Sequence, residues 1–258
     1  MKNTPVKEQM LGVSIGPASL DQINTKISIQ IANSEKSPFV FACANPHSLV
    51  VAQSDSSFRK ALNSASATVS DGSGTSIVSN ILNINIGPRI TGHDFFEMTM
   101  NMLNEINGRV YFFGSSEHVL DEIKTQLKSH YPNIILAGVL SPPFREWSEE
   151  ENQQMIQEIN NSSPDVLWVG MTAPKQEKWI QENRNSLTIP VIGAIGAVFD
   201  FFAGTYPRAP KWATKLGLEW LFRLIKEPKR MWKRNFISTP LFLYYCFIQH
   251  VILRKYNK

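Results

Sequence analysis

The sequence lacks the short motifs that mark several large enzyme classes. Its 258 residues contain no G-x-G-x-x-G dinucleotide fingerprint and no G-x-x-x-x-G-K-[ST] phosphate loop, which argues against dehydrogenases and P-loop NTPases. No two aspartates stand two positions apart, so the Asp-x-Asp pair that holds a divalent metal on a nucleotide diphosphate is missing. The five histidines form no short-spaced pair. We therefore expect neither a metal site nor a bound cofactor.

Cysteines are also scarce, and the N-terminus has no long apolar segment. The two cysteines, Cys43 and Cys246, match no zinc or redox spacing and are expected to be reduced thiols. The N-terminal residues lack the continuous apolar stretch of a signal peptide, which favours a cytoplasmic protein. Residues 236–253 are 18 residues without a charge, the lower limit for a spanning helix, but Pro240 and Gln249 interrupt them. This segment is compatible with spanning a membrane, lying at its surface or packing on the core.

The charges divide the chain into two parts. The formal net charge is +4. From Phe201 onward there are 12 Lys and Arg against 2 Asp and Glu, whereas the preceding residues hold 14 basic and 20 acidic side chains. A basic tail on an acidic body indicates an anionic partner such as phospholipid, diphosphate or nucleic acid.

Strand and helix patterns alternate along the first 204 residues. Short runs rich in Val, Ile and Phe are separated by segments with helical spacing, which predicts a parallel sheet wrapped by crossover helices. The predicted strands are residues 39–45, 67–72, 110–113, 134–140, 165–171 and 190–197, and the predicted helices include residues 46–64, 149–162, 174–183 and a segment that starts at Ser-Ser-Glu 115–117. We expect an α/β fold with a Rossmann-like core over residues 1–204 and a basic, mainly helical appendage over residues 205–258.

Polar residues at the ends of the predicted strands are the first candidates for a site, because ligands of parallel α/β sheets bind beyond those ends. Asp71 is placed for a general base, although a helix N-cap or an Asx turn also explains an aspartate there. Arg89 stands in a Gly/Pro-punctuated loop, where it pairs with a phosphate or remains a solvated charge. Gln176 either points into the cleft or complements the start of a helix. We expect His93 at the surface and Asp94 in a capping role.

Several longer motifs, taken in order, resemble one enzyme family. They are SPPFR (141–145), VGMTAPKQEKWI (169–180), GAIGAVFDFFAGTYPRAP (193–210) and GLEWLFRLIKEPKRMWKR (217–234), with ANP near Asn45, SDGSG at Asp71 and RITGHD at Arg89. In order and spacing they resemble the WecG/TagA/CpsF glycosyltransferases across nearly the whole chain. Several long motifs in the right order are far more specific than any single one.

The resemblance implies a Rossmann-like enzyme at the inner face of the plasma membrane. Members transfer N-acetylmannosamine, its uronic acid, glucose or glucuronic acid from UDP to a polyprenyl-diphosphate-linked sugar, with inversion at the anomeric carbon. Their products feed teichoic acid, enterobacterial common antigen, capsule or exopolysaccharide. Two departures lie near the sugar pocket: Cys43 stands where many members have threonine, and Met171-Thr172 replaces Leu-Gly. The identity of the donor sugar is therefore not inherited from the family.

The resemblance also implies roles for individual residues. Asp71 matches the catalytic base of the family, and we assign Asp71 and Arg89 as candidate catalytic residues. Asn45 and Gln176, like Arg89, match polar residues of the sugar and acceptor pocket. Asp200 matches an aspartate that contacts the uracil.

The tail carries the remaining candidates. Arg223, Arg230 and Lys233 match cations of the family's C-terminal appendage, which closes over the active site at the membrane. With no metal motif, such cations must stabilise the departing UDP of an inverting, metal-independent transfer. A solvated cationic surface is the alternative explanation of these charges.

Two other functions compete with this leading hypothesis. A non-catalytic module that binds anionic membranes explains the tail equally well. Nucleic-acid binding explains the basic tail but not the acidic body, and we do not expect it. The sequence leaves the acceptor and the oligomeric state open, including a homo-oligomer.

Overall fold

The computed structural model describes residues 8–16, 18–33, 37–207, 209–210, 213 and 219–256, with the backbone alone for residues 219, 230 and 252–256. Its strands, in chain order, are β1 (Glu8–Met10), β2 (Val13–Ile15), β3 (Phe39–Ala44), β4 (Ala67–Ser70), β5 (Arg109–Gly114), β6 (Ile135–Leu140), β7 (Val166–Gly170) and β8 (Val191–Ala194). Strands β3 to β8 form a six-stranded sheet in the order β4-β3-β8-β7-β5-β6, and every neighbouring pair is parallel. This sheet confirms the predicted α/β fold with a Rossmann-like core.

Helices connect the strands and continue beyond the last one. They are α1 (Leu20–Asn33), α2 (Pro46–Ser54), α3 (Ser56–Ser64), α4 (Ser73–Leu82), α5 (Gly92–Ile106), α6 (Glu117–His130), α7 (Glu149–Asn161), α8 (Lys175–Asn183), α9 (Val198–Ala203), α10 (Glu219–Lys226), α11 (Pro228–Trp232), a π-helical turn (Lys233–Ser238) and α12 (Thr239–Tyr256). The sequence patterns did not predict α1 or the antiparallel hairpin of β1 and β2. Strands of three residues are too short for an alternating pattern to stand out.

The sheet is buried on both faces, and each face packs into its own apolar cluster. Along β3, Phe39 and Phe41 belong to one cluster, whereas Val40 and Ala42 belong to the other. Phe41 stacks on Phe95 of α5 with ring centroids 3.8 Å apart. Burial on both faces explains why these strands appear in the sequence as continuous apolar runs.

Side-chain caps set the starts of several helices. Thr91 Oγ1 accepts a hydrogen bond from the Asp94 N–H, and the Asp94 carboxylate accepts one from the Thr91 N–H at 2.8 Å, which confirms the predicted capping role of Asp94. Asp55 divides the helix predicted over residues 46–64, because its carboxylate accepts from the Phe58 N–H at 2.9 Å and starts α3. The pKa of Asp55 is lowered to about 2, first by this hydrogen bond.

The last helix returns to the core. Phe242 and Cys246 of α12 are buried in the apolar cluster that also holds residues of β1 and β2. The side chain of Gln249 accepts a hydrogen bond from the Leu11 N–H at 2.8 Å and donates one to the Gln9 carbonyl at 3.3 Å. The C-terminal helix therefore packs against the N-terminal hairpin.

The C-terminal region was considered both as a membrane-spanning segment and as a separate appendage. In the part of the chain that the structure describes, no helix is both long and apolar enough to cross a membrane. The division into a core over residues 1–204 and an appendage over residues 205–258 stays a prediction.

Candidate active site

A cavity of about 530 Å³ lies beyond the carboxyl ends of β3, β4, β7 and β8. Its size is typical of small-molecule sites. Five of the candidate residues line it, namely Asn45, Asp71, Arg89, Gln176 and Arg223. The fold thus brings together side chains that are up to 178 positions apart in sequence, from Asn45 to Arg223.

Asp71 is held at the cavity by the pairing of β3 and β4. Its N–H donates to the Ala44 carbonyl at 2.8 Å. The next residue, Gly72, is the N-cap of α4 and has a φ of +99°, which residues with a side chain rarely adopt. Asp71 therefore precedes the helix rather than capping it. The N-cap explanation of this aspartate is wrong. Asp71 is instead a residue of the cavity wall.

The first turn of α4 also faces the cavity. Gly72, Ser73 and Gly74 line it, and Gly72 offers no side-chain cap to the amides of this turn. N–H groups at a helix N-terminus attract anions because they lack partners within the helix. Gly74 lets this turn lie against α2, since a Cβ there would come within 2.9 Å of Pro46 Cγ.

Helix α2 begins at the cavity with a reciprocal cap. Asn45 Oδ1 accepts from the Ser48 N–H at 3.0 Å, and Ser48 Oγ accepts from the Asn45 N–H at 2.7 Å. In the same turn, His47 Nδ1 shares a hydrogen bond with Ser238 Oγ at 2.8 Å. Burial, assisted by the positive charge of Arg234, lowers the pKa of His47 to about 4. A neutral imidazole therefore joins α2 to the π-helical turn.

Arg89 and His93 reach the cavity from the segment that follows α4. The Ile90 N–H ties this segment to β4 by donating to the Ser70 carbonyl at 3.0 Å. Arg89 is half-buried and lines the cavity, so it is not a solvated surface charge. The expectation that His93 lies at the surface is wrong: its side chain is 25% exposed and also lines the cavity. The reason is that α5 starts at the rim, so its first turn faces inward.

Gln176 and Glu177 are buried in the cavity wall rather than capping α8. The N-cap of α8 is Pro174, which makes no side-chain cap. Gln176 Oε1 accepts from the Met171 N–H at 3.3 Å, and Gln176 Nε2 donates to Glu177 Oε1 at 2.8 Å. Burial raises the pKa of Glu177 to about 7, although the hydrogen bond from Gln176 and the charge of Arg234 act in the opposite direction. Sequence reasoning missed Glu177, because the helix dipole already explains a glutamate in a first turn.

The C-terminal helices supply cations that differ in part from the predicted set. Arg223 of α10 lines the cavity, with its guanidinium carbon 5.7 Å from the ring centroid of Phe201. Arg234 of the π-helical turn is half-buried and lines the cavity too, and the sequence did not predict it. Lys233 is exposed and is not among the lining residues. The side chain of Arg230 lies outside the described residues.

Asp200 is also outside the lining of the cavity. It is half-buried in α9, where its carbonyl accepts hydrogen bonds from the Tyr206 N–H and the Thr205 hydroxyl, each at 3.2 Å. The predicted contact of Asp200 with a uracil stays a prediction, as do the roles assigned to the other candidates.

Cys43 adds a neutral group to the cavity. Burial raises the pKa of its thiol, and the nearby carboxylates of Asp71, Glu177 and Asp94 add to the shift. The thiol therefore stays protonated at neutral pH. Within the described ranges, no group of three His, Cys, Asp or Glu side chains is placed to hold a metal ion.

Comparison with known proteins identifies the family. A model of the glycosyl transferase WecG/TagA/CpsF family matches residues 8–256. The chain belongs to this family. The match confirms the resemblance carried by the ordered motifs, and it makes the protein a member of a glycosyltransferase family.

Three proteins similar to this chain carry the name N-acetylglucosaminyldiphosphoundecaprenol N-acetyl-beta-D-mannosaminyltransferase. The Bacillus subtilis (strain 168) protein is 30% identical over 201 residues, which are 78% of this chain and 76% of the relative. The Bacillus spizizenii protein is 28% identical over 200 residues, which are 78% and 75% of the two chains. The Staphylococcus aureus (strain MW2) protein is 27% identical over 243 residues, which are 94% and 93%.

Proposed function

We propose that this protein transfers a sugar from a UDP-sugar to N-acetylglucosamine linked to a polyprenyl diphosphate, with N-acetylmannosamine as the first candidate sugar. The names of the Bacillus and Staphylococcus relatives support this acceptor and this sugar. The observation that carries the proposal is the cavity itself, which is lined by Asp71 together with Arg89, Arg223 and Arg234. A base and a cluster of cations are what glycosyl transfer from a nucleoside diphosphate needs.

In the proposed reaction, Asp71 acts as the general base. Its carboxylate takes the proton of the acceptor hydroxyl while that oxygen bonds to the anomeric carbon of the donor. The bond between the anomeric carbon and the diphosphate breaks, and its electron pair leaves with UDP. Attack on the face opposite the leaving group inverts the anomeric configuration. General base catalysis contributes roughly 10²–10⁴-fold to such a step.

The departing UDP gains negative charge, which the cavity is equipped to stabilise. Arg89, Arg223 and Arg234 offer charge-assisted hydrogen bonds, and the first turn of α4 offers backbone N–H groups. In our proposal these groups act in place of a divalent metal, since the sequence has no Asp-x-Asp pair. Arg234 takes the position in this cluster that the sequence suggested for Lys233.

The lipid acceptor requires the cavity to open near a membrane. The C-terminal helices carry exposed apolar side chains, among them Ile225, Phe236 and Phe247, beside exposed Lys226 and Lys229. Surfaces of this composition bind anionic membrane interfaces. Phe236 also lines the cavity, so the apolar surface continues to the candidate site. We therefore propose peripheral binding at the inner face of the plasma membrane.

A non-catalytic membrane-binding module is the second candidate. The same apolar and basic surface favours it. It does not explain a cavity that is lined by a carboxylate and several arginines. The two candidates differ in whether any sugar is transferred.

A transfer assay with defined substrates tests the proposal. The full-length protein is incubated with UDP-N-acetylmannosamine, or with other UDP-sugars, and a short-chain polyprenyl diphosphate that carries N-acetylglucosamine. We expect one of the donors to yield UDP and a lipid-linked disaccharide. The NMR spectrum of this disaccharide should show that the anomeric configuration of the transferred sugar is inverted. Binding to anionic vesicles without transfer from any UDP-sugar would reject the enzyme and favour the module.

A further inference from the structure

Glu177 is a buried carboxyl group without a counter-ion. Its side chain is 6% exposed, and it makes no ion pair with a described residue. Oε1 accepts a hydrogen bond from the neutral amide of Gln176, and Oε2 has no hydrogen-bond partner in the described part of the chain. Buried carboxylates are normally paired with a cation or held by several donors. This environment therefore favours the neutral acid.

Glu177 shares the cavity with a second carboxyl group, that of Asp71. The thiol of Cys43 lies in the field of Asp71, Glu177 and Asp94. A like charge nearby disfavours the ionised form of a carboxyl group.

The cations near Glu177 come from the π-helical turn and from α8 itself. Arg234 of the π-helical turn lowers its pKa across the cavity. Arg184, at the end of α8, lines a small void of about 10 Å³ beside Glu177, but its guanidinium donates to the Ser64 carbonyl at 2.8 Å. Lys178 of α8 forms an ion pair with Asp55 at the start of α3, with 3.1 Å between Lys178 Nζ and Asp55 Oδ2. The charge of Lys178 is therefore paired with Asp55 and not with Glu177.

Of the remaining titratable groups of the cavity, the neutral His47 adds no positive charge. Arg89 and His93 line the cavity from the segment around the start of α5. Arg234 is thus the cation that both lines the cavity and lowers the pKa of Glu177, so a ligand that contacts Arg234 changes the pKa of Glu177.

We propose that Glu177, in its neutral form, is a positioning residue that holds the Gln176 amide. We further propose that binding of a nucleoside diphosphate to the cavity draws a proton onto Glu177. This inference rests on the proposed function, because it assumes that the cavity takes a diphosphate. The bound phosphates engage Arg234 and add negative charge near Glu177. The ionised form of Glu177 then loses its stabilising cation and gains a repulsive neighbour, so the proton equilibrium moves to the neutral acid.

The neutral acid keeps the site in order without adding charge. Its carbonyl oxygen still accepts from Gln176 Nε2, while Gln176 Oε1 remains on the Met171 N–H. The amide of Gln176 therefore keeps one orientation in the cavity wall. An ionised Glu177 would hold the amide equally well but would repel the diphosphate.

Proton uptake on binding of UDP is the measurement. Titration calorimetry at pH 7.5 in buffers of different ionisation enthalpy gives the number of protons taken up. This pH lies above the pKa of about 6 for the second ionisation of a terminal phosphate, which limits the contribution of UDP itself. With a pKa of about 7, free Glu177 is about one-quarter protonated at pH 7.5, so the uptake approaches roughly three-quarters of a proton per UDP. The Kd for UDP should rise between pH 7.5 and 8.5, at most about tenfold.

Glu177→Gln is the informative variant, because glutamine keeps the shape and the oxygen that accepts from Gln176. It should bind UDP with no proton uptake from this site and with a Kd that hardly changes with pH. Glu158→Gln is the matched control: Glu158 accepts from the Tyr111 hydroxyl at 2.7 Å, away from the cavity, and its replacement should leave the uptake intact.

An infrared difference spectrum gives an independent readout. UDP should convert a carboxylate band into a neutral carboxyl band in the wild-type protein and in Glu158→Gln, but not in Glu177→Gln. Binding of UDP with the same proton uptake in wild type and Glu177→Gln would overturn this inference and leave the proposed function standing. Failure of UDP to bind the wild-type protein would overturn both.

Discussion

The buried carboxyl group of Glu177 makes a prediction about stability that does not depend on any substrate. Its pKa is raised from an ordinary value of 4.5 to about 7, mainly by burial. In the unfolded chain the group ionises near 4.5, whereas in the folded chain it keeps its proton until about pH 7. The folded state thus binds more protons between these values, and its stability falls as the pH rises through this window.

The size of the effect follows from the shift. One pKa unit corresponds to about 1.4 kcal/mol, so ionising the buried group costs the folded state about 3 kcal/mol above pH 7. Glu177→Gln removes this cost. Relative to wild type, the variant should therefore gain about 3 kcal/mol on going from pH 4.5 to pH 8, which corresponds to a relative rise in Tm of roughly 6–12 °C.

Urea unfolding of both proteins at several pH values measures this difference. Asp55→Asn serves as a control of opposite sign, because the pKa of Asp55 is lowered to about 2, first by its hydrogen bond from the Phe58 N–H. The stabilisation due to Asp55 is lost as the pH falls from about 4 toward 2. A stability difference between wild type and Glu177→Gln that stays constant from pH 4.5 to 8 would refute the argument for a neutral Glu177.

Three further predictions concern the proposed reaction. Asp71→Asn should retain the fold and UDP binding but transfer sugar about 10²–10⁴-fold more slowly, and near-normal turnover would remove Asp71 from the mechanism. Transfer should survive EDTA, whereas a loss that magnesium or manganese restores would show that the diphosphate needs a metal. With a soluble short-chain acceptor, Arg223→Ala should lower turnover far more than Lys226→Ala, since Arg223 lines the cavity and Lys226 is exposed. Equal, small effects would leave both residues as membrane anchors.

Local sequence patterns predicted the sheet and part of the site well, because their physics is local. Apolar runs mark strands that are buried on both faces, and parallel strands bring their carboxyl ends to one edge. That rule was sufficient to bring Asn45, Asp71 and Gln176 to one cavity. It does not distinguish a helix cap from a cavity residue, and for Asp71 the distinction came from the backbone of Gly72.

The residues that sequence reasoning missed depend on contacts between distant segments. Glu177 is buried only because α8 packs beneath the cavity, and His93 faces inward because α5 starts at its rim. Arg234 lies in a π-helical turn, where the angular spacing differs from the 3.6-residue period used to assign helix faces. The resemblance to the family pointed instead to Lys233, which is exposed.

The C-terminal helix yields the last prediction, which concerns the folding unit. Phe242 is 0% exposed in a core cluster, whereas Phe247 on the same helix is 63% exposed. Truncating a buried phenylalanine to alanine costs about 3–5 kcal/mol, while an exposed position changes stability by about 0.5 kcal/mol or less.

Phe242→Ala should accordingly lower the free energy of unfolding far more than Phe247→Ala, as measured by urea denaturation. The two substitutions remove the same atoms from the same helix, so helix propensity cancels between them. A chain that ends at Gly204 should be less stable still, because it also loses Cys246 from the core and the hydrogen bonds of Gln249 to the N-terminal hairpin. If both alanine variants unfold like the wild type, α12 adds nothing to the core, and residues 1–204 would fold independently of the helices that follow.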